Sequence, residues 1–274
     1  MRRKNIKINT TPSVLGILVG GLGNQLFIIF TTINYALEHN KKYLFYNAER
    51  KRSVNFENII YEKNIMNGFK YNEKNDQSYV KIPDKRKIIL NGYFQSHKYF
   101  HERRKEIFNL IFKNIEIPKN FDEFNTFIHF RIGDYKNYEC HPVLPIDYYI
   151  KSLTVLSEKK GEENIKLIYF YELEDKDEIN TKIMILKNKF PKINFVSVYE
   201  INDKLSDIQQ ILLMSTFENS IIANSTFSWW GAYLNESESK NKNIFYPEKW
   251  FSGSLSNLST KDRFPDEWIK INCI

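Results

Sequence analysis

The sequence has little that could staple it or anchor it. Among 274 residues there are two cysteines, Cys140 and Cys273. Neither stands in a Cys-x-x-Cys or Cys/His spacing, which excludes a zinc site and a disulfide framework and makes a reducing compartment the default. No window approaches the ~18–20 uninterrupted apolar residues that a membrane-spanning helix needs. The nearest candidate, residues 14–30, is broken by Gly16, Gly20, Gly21 and Gly23 and then by the amides of Asn24 and Gln25. The residues before it lack the small-residue cleavage pattern of a secretory signal, so a cytoplasmic location is expected. Sequons at Asn9, Asn224, Asn235 and Asn257 are accordingly read as chance. With 10 glycines, 8 prolines, no repeat and no low-complexity tract, collagen-like and disordered classes are excluded as well.

The charge that is present runs basic, with 40 Lys+Arg against 33 Asp+Glu, and it is unevenly spread. Residues 1–118 carry 21 basic and 10 acidic side chains, and residues 119–274 carry 19 and 23. Lys, Asn and Ile are all abundant and no RNA or DNA motif accompanies the basic half. A solvated basic face is therefore preferred to a nucleic-acid groove. The length and the 42% hydrophobic content allow one large or two small domains with cores of their own.

The apolar run Val14 to Val19 predicts a strand, and Leu26, Ile29, Ile33 and Leu37 predict a helix from about Asn24 to His39. Short strands are expected at 43–46 and 88–90, separated by a charged, Asn-rich stretch of about 40 residues with weak periodicity. A helix is expected over 97–112, and Ile117 to Phe121 reads as a hinge. Beyond it strands at 126–130, 166–171, 194–198, 220–223 and 243–246 alternate with helices at 146–158, 177–190, 205–216 and from Ser228. Such alternation predicts parallel sheets covered by helices. The expected fold class is α/β, with domains 1–118 and 119–274 and a ligand outside the carboxyl ends of the strands.

Three motifs carry candidate chemistry. Gly20-Gly21-Leu22-Gly23-Asn24-Gln25 sits between the first strand and helix, where glycines admit a ligand to the backbone and free amides favour an anion. It also suits a plain tight turn, and a dinucleotide fingerprint would want glycine where Leu26 stands. His129-Phe130-Arg131-Ile132-Gly133-Asp134 ends a buried strand. Arg131 there can hold a phosphate with a bidentate fork, or cap the strand by pairing with Asp134. Asn224-Ser225-Thr226-Phe227-Ser228-Trp229-Trp230-Gly231 crowds hydroxyls onto a helix start, to cap it or to grip phosphate. Trp229 and Trp230 read as core rather than as a sugar platform.

In this order and spacing, GGLGNQLF, HFRIGDY and NSTFSWWGAYL resemble the α-1,2-fucosyltransferases of glycosyltransferase family 11. Gly92 to Ser96 and Pro247 to Phe251 look like its lesser motifs. The resemblance implies a GT-B-like fold of two Rossmann-like domains with parallel sheets around a cleft, an acceptor-side first domain and a donor-binding second one. It also implies GDP-fucose as co-substrate, inversion at the fucose anomeric carbon, a galactose-terminated or similar glycan as acceptor, and neither cofactor nor metal. It places Arg131 on the donor diphosphate, with His129 and Asp134 flanking it; Asp134 is a weak candidate for the base. Gly21, Gly23 and Asn24, together with Ser225, Thr226, Phe227 and Ser228, would face the donor. The basic first half would face an anionic or lipid-linked acceptor, which leaves room for peripheral membrane contact.

The chain also departs from the family pattern. Ile132 stands where a second arginine is usual, Tyr171-Glu172-Leu173-Glu174 replaces Ser-Asp-Asp, and Gln210 replaces an acid. The resulting Arg-Ile-Gly also resembles protein O-fucosyltransferases. An NAD-dependent oxidoreductase using the first glycine turn and a non-catalytic glycan-binding module are the remaining alternatives.

Overall fold

The computed structural model of the chain describes residues 11–49, 56–235 and 242–272; Asn9 and Cys273 lie outside them. The first apolar run becomes β1 (Ser13–Leu18), buried throughout. Gly16 lets α1 (Leu22–Glu38) cross this strand closely, since a Cβ at residue 16 would come within 2.4 Å of Thr32 Oγ1. With β2 (Lys42–Asn47), β3 (Phe69–Asn72) and β4 (Lys87–Asn91), β1 forms a four-stranded sheet of order β2-β1-β4-β3, all parallel. β3 falls in the stretch where weak periodicity predicts no strand. It is an edge strand with three of its four residues exposed, so no buried face imposes alternation.

The helix expected over 97–112 is shorter. Tight 3-10 turns at His97–Tyr99 and His101–Arg103 precede α2 (Arg104–Phe112). Phe100 separates the turns with φ −149° and ψ 4°, its buried ring 5.9 Å from Phe27 and 5.4 Å from Phe30. Packing of that ring overrides the local helical pattern.

The chain divides into two compact units, Met1–Ile111 and Phe112–Ile274. In the second, β5 (Thr126–His129), α3 (Ile146–Lys160), β6 (Lys166–Phe170), α4 (Lys176–Lys189) and β7 (Asn194–Ser197) alternate as expected. The helix expected over 205–216 is preceded by a separate turn of helix, α5 (Val198–Ile201), and is itself α6 (Asp207–Met214). Each begins at a reciprocal serine cap, Ser197 with Glu200 and Ser206 with Gln209. Then follow β8 (Asn219–Ile221), α7 (Thr226–Tyr233), β9 (Asn243–Pro247) and an unexpected β10 (Ile269–Ile271), whose three residues are too few to show a period.

All six strands are parallel, in the order β10-β9-β8-β5-β6-β7. The α/β class and the two parallel units match the expected fold class. From β5 the chain winds outward through β6 and β7, then returns to place β8 on the other side of β5. That reversal opens a crevice beyond the carboxyl ends of β5 and β8, where open α/β sheets bind ligands. At the opposite end a buried polar row fixes register: Asn243 donates to Asn219 Oδ1 (3.0 Å), and Asn219 to Thr126 Oγ1 (3.2 Å). Because all three sit in register, a one-residue slip would strand these amides in the core.

Candidate active site

His129 closes β5 and is 5% exposed, with Nδ1 2.9 Å from Ser228 Oγ on α7 and its ring 5.6 Å from that of Phe227. Burial, then the charge of Arg131, pushes the imidazole down to about 3, so it is neutral at working pH. The unfolded chain protonates this histidine near the ordinary 6.5 while the folded chain resists, so its contribution is present above that value and is lost as pH falls toward 3. Urea melts at pH 7 and pH 4.5 should show a smaller loss on acidification in His129→Gln than in the unaltered protein. Equal losses would show that His129 is solvated.

Arg131, two residues on, pairs with Glu172 at the end of β6 and with Asp134 at 2.5 Å, and its Cζ lies 5.1 Å from the centroid of the Tyr135 ring. Its Nε is buried without a hydrogen-bond partner. Burial works against the guanidinium charge, but Glu172 and then Asp134 outweigh it and raise the pKa. Glu172 itself is held above the ordinary carboxylate range. Burial contributes most and Asp134 and Asp175 add repulsion, together overcoming the pull of Arg131. Gly133 must be glycine: φ is 21°, and a Cβ would come within 2.3 Å of Glu172 Oε2. Its N–H donates to Asp175 Oδ2 at 2.7 Å.

α7 brings the serine-rich motif to the same crevice. Ser225 caps the helix, its Oγ accepting from the Phe227 N–H at 3.3 Å, and Ser228 is spent on His129. Thr226 and Phe227 are half-buried, while Trp229 and Trp230 are wholly buried, as the core reading has it. Asn224, 1% exposed, donates to the Pro142 and Trp250 carbonyls, and Asn235 is also buried, so neither sequon is open to glycosylation in the folded chain. Among the described residues no group of three or more His, Cys, Asp or Glu is placed to hold a metal ion.

His129, Arg131, Asp134 and Ser225 to Ser228 thus come together. Gly21, Gly23 and Asn24 belong to the other unit. There Gly20 makes the turn (φ 74°), Gly21 caps α1, and Gly23 and Asn24 lie inside the helix rather than in the turn. Asn24 Oδ1 accepts from Gln95 Nε2 at 2.8 Å. Leu26, where a dinucleotide fingerprint wants glycine, is fully buried.

Four further residues surround the second unit's site. Tyr135 donates to the Asn224 carbonyl (3.1 Å) and stacks on His141 at 4.9 Å; His141 lies 5.8 Å from Phe251. The Arg263 guanidinium, 2% exposed in its residue, lies 4.9 Å from the Phe251 ring and 5.4 Å from Trp250. Tyr135 closes the HFRIGDY motif and Phe251 the lesser motif Pro247 to Phe251. His141 and Arg263 carried no local signal.

An always-charged arginine, a serine-capped helix start and a crevice at a sheet reversal are the features with which nucleotide-binding α/β folds hold an anionic group. No family model matches the chain. An α-1,2-colitosyltransferase of Escherichia coli is 27% identical in an alignment covering 94% of this chain and 98% of that protein. The O-antigen biosynthesis glycosyltransferase WbnK of E. coli is 35% identical over 152 residues, and there the match covers 53% of this chain and less than half, 44%, of the relative. Among solved structures, NodZ α-1,6-fucosyltransferase soaked with GDP-fucose matches with a TM-score of 0.49 and 11% identity, covering 82% of this chain and 92% of that one. Both relatives are glycosyltransferases, and one of them is matched along nearly the whole of this chain, which is in keeping with the family 11 resemblance. No helix of the described residues is long and apolar enough to cross a membrane.

Proposed function

We propose that this protein transfers L-fucose from GDP-fucose to the 2-hydroxyl of a terminal galactose or similar hexose, with inversion, an α-1,2 linkage and no metal ion. The observation that carries the reading is Arg131, charged and partly exposed at the carboxyl end of β5, opposite the first turn of α7. In a single in-line displacement the acceptor oxygen attacks the anomeric carbon as the diphosphate leaves. Arg131 and the positive end of the α7 helix dipole stabilise the charge that builds on the leaving oxygens. His129 supports the site from behind, neutral and locked to Ser228.

The linkage is supported by the full-length likeness to an α-1,2-colitosyltransferase. Colitose is L-fucose without its 3-hydroxyl, so the same likeness favours a second reading, in which the GDP derivative of colitose is the donor. Incubation of each donor with lactose or N-acetyllactosamine, followed by linkage analysis, separates the two. A 1,3 or 1,6 product, or transfer only to folded protein, would refute the linkage while leaving the donor standing.

Metal independence rests on the chemistry of the acids. Asp175 and Asp177 flank Lys176 at the start of α4, but Asp175 is spent on the Gly133 N–H and lies 3.5 Å from Lys136. Activity should persist in EDTA. Complete loss restored by manganese would sink this part of the proposal.

A further inference from the structure

The transfer requires a group to take the acceptor's proton, and the acids beside Arg131 are poorly placed for it. Asp134 and Glu172 are both tied to the guanidinium, and Asp175 to Gly133 and Lys136. His129 is buried, with Nδ1 engaged by Ser228. His141 differs. It lies in the segment between β5 and α3, partly exposed, and its Nδ1 is buried without a hydrogen-bond partner. A histidine kept for structure ordinarily commits one ring nitrogen to a carbonyl or carboxylate. This one is held by ring packing instead, on Tyr135 (4.9 Å, 22° between planes) and against Phe251.

The backbone around it is fixed as well. The His141 N–H donates to the Tyr138 carbonyl at 3.1 Å, and the Cys140 carbonyl accepts from Ser252 N at 3.0 Å. Tyr135 carries Arg131 and His141 on one ring, with Arg131 Cζ 5.1 Å from the same centroid, so the two groups are no more than about 10 Å apart. A sugar joined to a diphosphate on Arg131 spans that order of distance.

We propose that His141 is the general base of the transfer, an assignment that rests on the reading given under Proposed function. The acceptor oxygen forms its bond to the anomeric carbon while the bond from that carbon to the β-phosphate oxygen breaks. The electron pair leaves on the phosphate, and the hydroxyl proton passes to Nε2 of the imidazole, the ring nitrogen that is not buried.

The charged groups facing His141 supply a signature. Arg131 and Asp134 face it from its own segment and Arg263 from the segment before β10; Tyr135 and Phe251 complete its surroundings. Burial, then the two arginines, hold the imidazole below its ordinary value, with Asp134 opposing them. A bound diphosphate offsets the arginines' field and makes the ring more basic. The acid limb of kcat should therefore lie at higher pH than that of kcat/KM, because the first reports the complex and the second the free enzyme.

His141→Gln tests this, with GDP binding measured by thermal shift beside turnover. GDP affinity should stay within about threefold, kcat should fall by about 10²–10⁴, and the acid limb should disappear. In the unaltered protein the His141 ring, followed by NMR, should titrate at higher pH when GDP is saturating. A variant with kcat within about threefold of the unaltered enzyme, or one that keeps the acid limb, overturns the assignment and leaves the transferase reading standing. Failure of the unaltered protein to bind GDP removes that reading, and the role of His141 with it.

Discussion

Arg131→Ala should lower kcat by about 10²–10³ while the protein stays folded, the loss expected when one preorganised donor to a developing oxyanion is removed, about 3 to 4 kcal/mol. The fold should survive because of what the arginine leaves behind. Its partners Asp134 and Glu172 have side chains 48% and 42% exposed, so water can solvate both carboxylates once the guanidinium is gone. Ion pairs whose acids are this exposed contribute on the order of 1 kcal/mol, even with the guanidinium side chain only 23% exposed. Arg131→Lys should also be poor, since an ammonium is a point charge and cannot reproduce a planar guanidinium that keeps Asp134 and Glu172 paired while its remaining N–H groups meet phosphate oxygens. Steady-state kinetics with GDP-fucose, read beside melting temperature, decide the matter. Near-normal turnover in the alanine variant together with a lowered melting temperature would make Arg131 a strand-capping residue and nothing more.

How far this site was legible depends on the distance over which it is assembled. Strands buried on both faces announce themselves as apolar runs, so β1, β5, β6 and β8 could be placed to within a residue or two, and with them the crevice at the end of β5. Arg131 and Ser225 were legible because their motifs sit where a strand gives way to a turn. Glu172 was visible as a departure from the family pattern but not as the partner of Arg131, because an ion pair between residues 41 apart has no local signature. His141 is an ordinary histidine before a proline until Tyr135 folds over it. Arg263 reaches Phe251 and Trp250 through the path of the chain into β10, a strand of three residues that no periodicity reveals. Where packing overrode pattern, as at Phe100, the cause was a single ring whose burial is worth about 2 kcal/mol, more than a turn of helix with mediocre propensity.

Trp229→Ala should be the most destabilising of the substitutions considered, and its effect should be on stability before catalysis. The ring is fully buried, 4.5 Å from Tyr233, 5.1 Å from Trp230 and 5.7 Å from Trp268, and its Nε1 donates to the Arg263 carbonyl at 3.1 Å. Truncation leaves a cavity costing about 3–5 kcal/mol, and the orphaned carbonyl adds about 1 kcal/mol. For a unit of this size the melting temperature should fall by on the order of 10 °C or more. Trp229→Phe keeps most of the packing but loses the N–H, so it should cost only about 1–3 kcal/mol. The carbonyl that Trp229 holds belongs to the residue whose guanidinium lies over Phe251, and Phe251 borders His141. A tryptophan with no exposed surface thus reaches the His141 side of the site through Arg263, and Trp229→Phe, assayed well below its melting temperature, should lose some turnover with GDP affinity unchanged. If Trp229→Ala instead weakened acceptor binding at an unchanged melting temperature, the ring would have to touch sugar, which its burial forbids unless α7 moves.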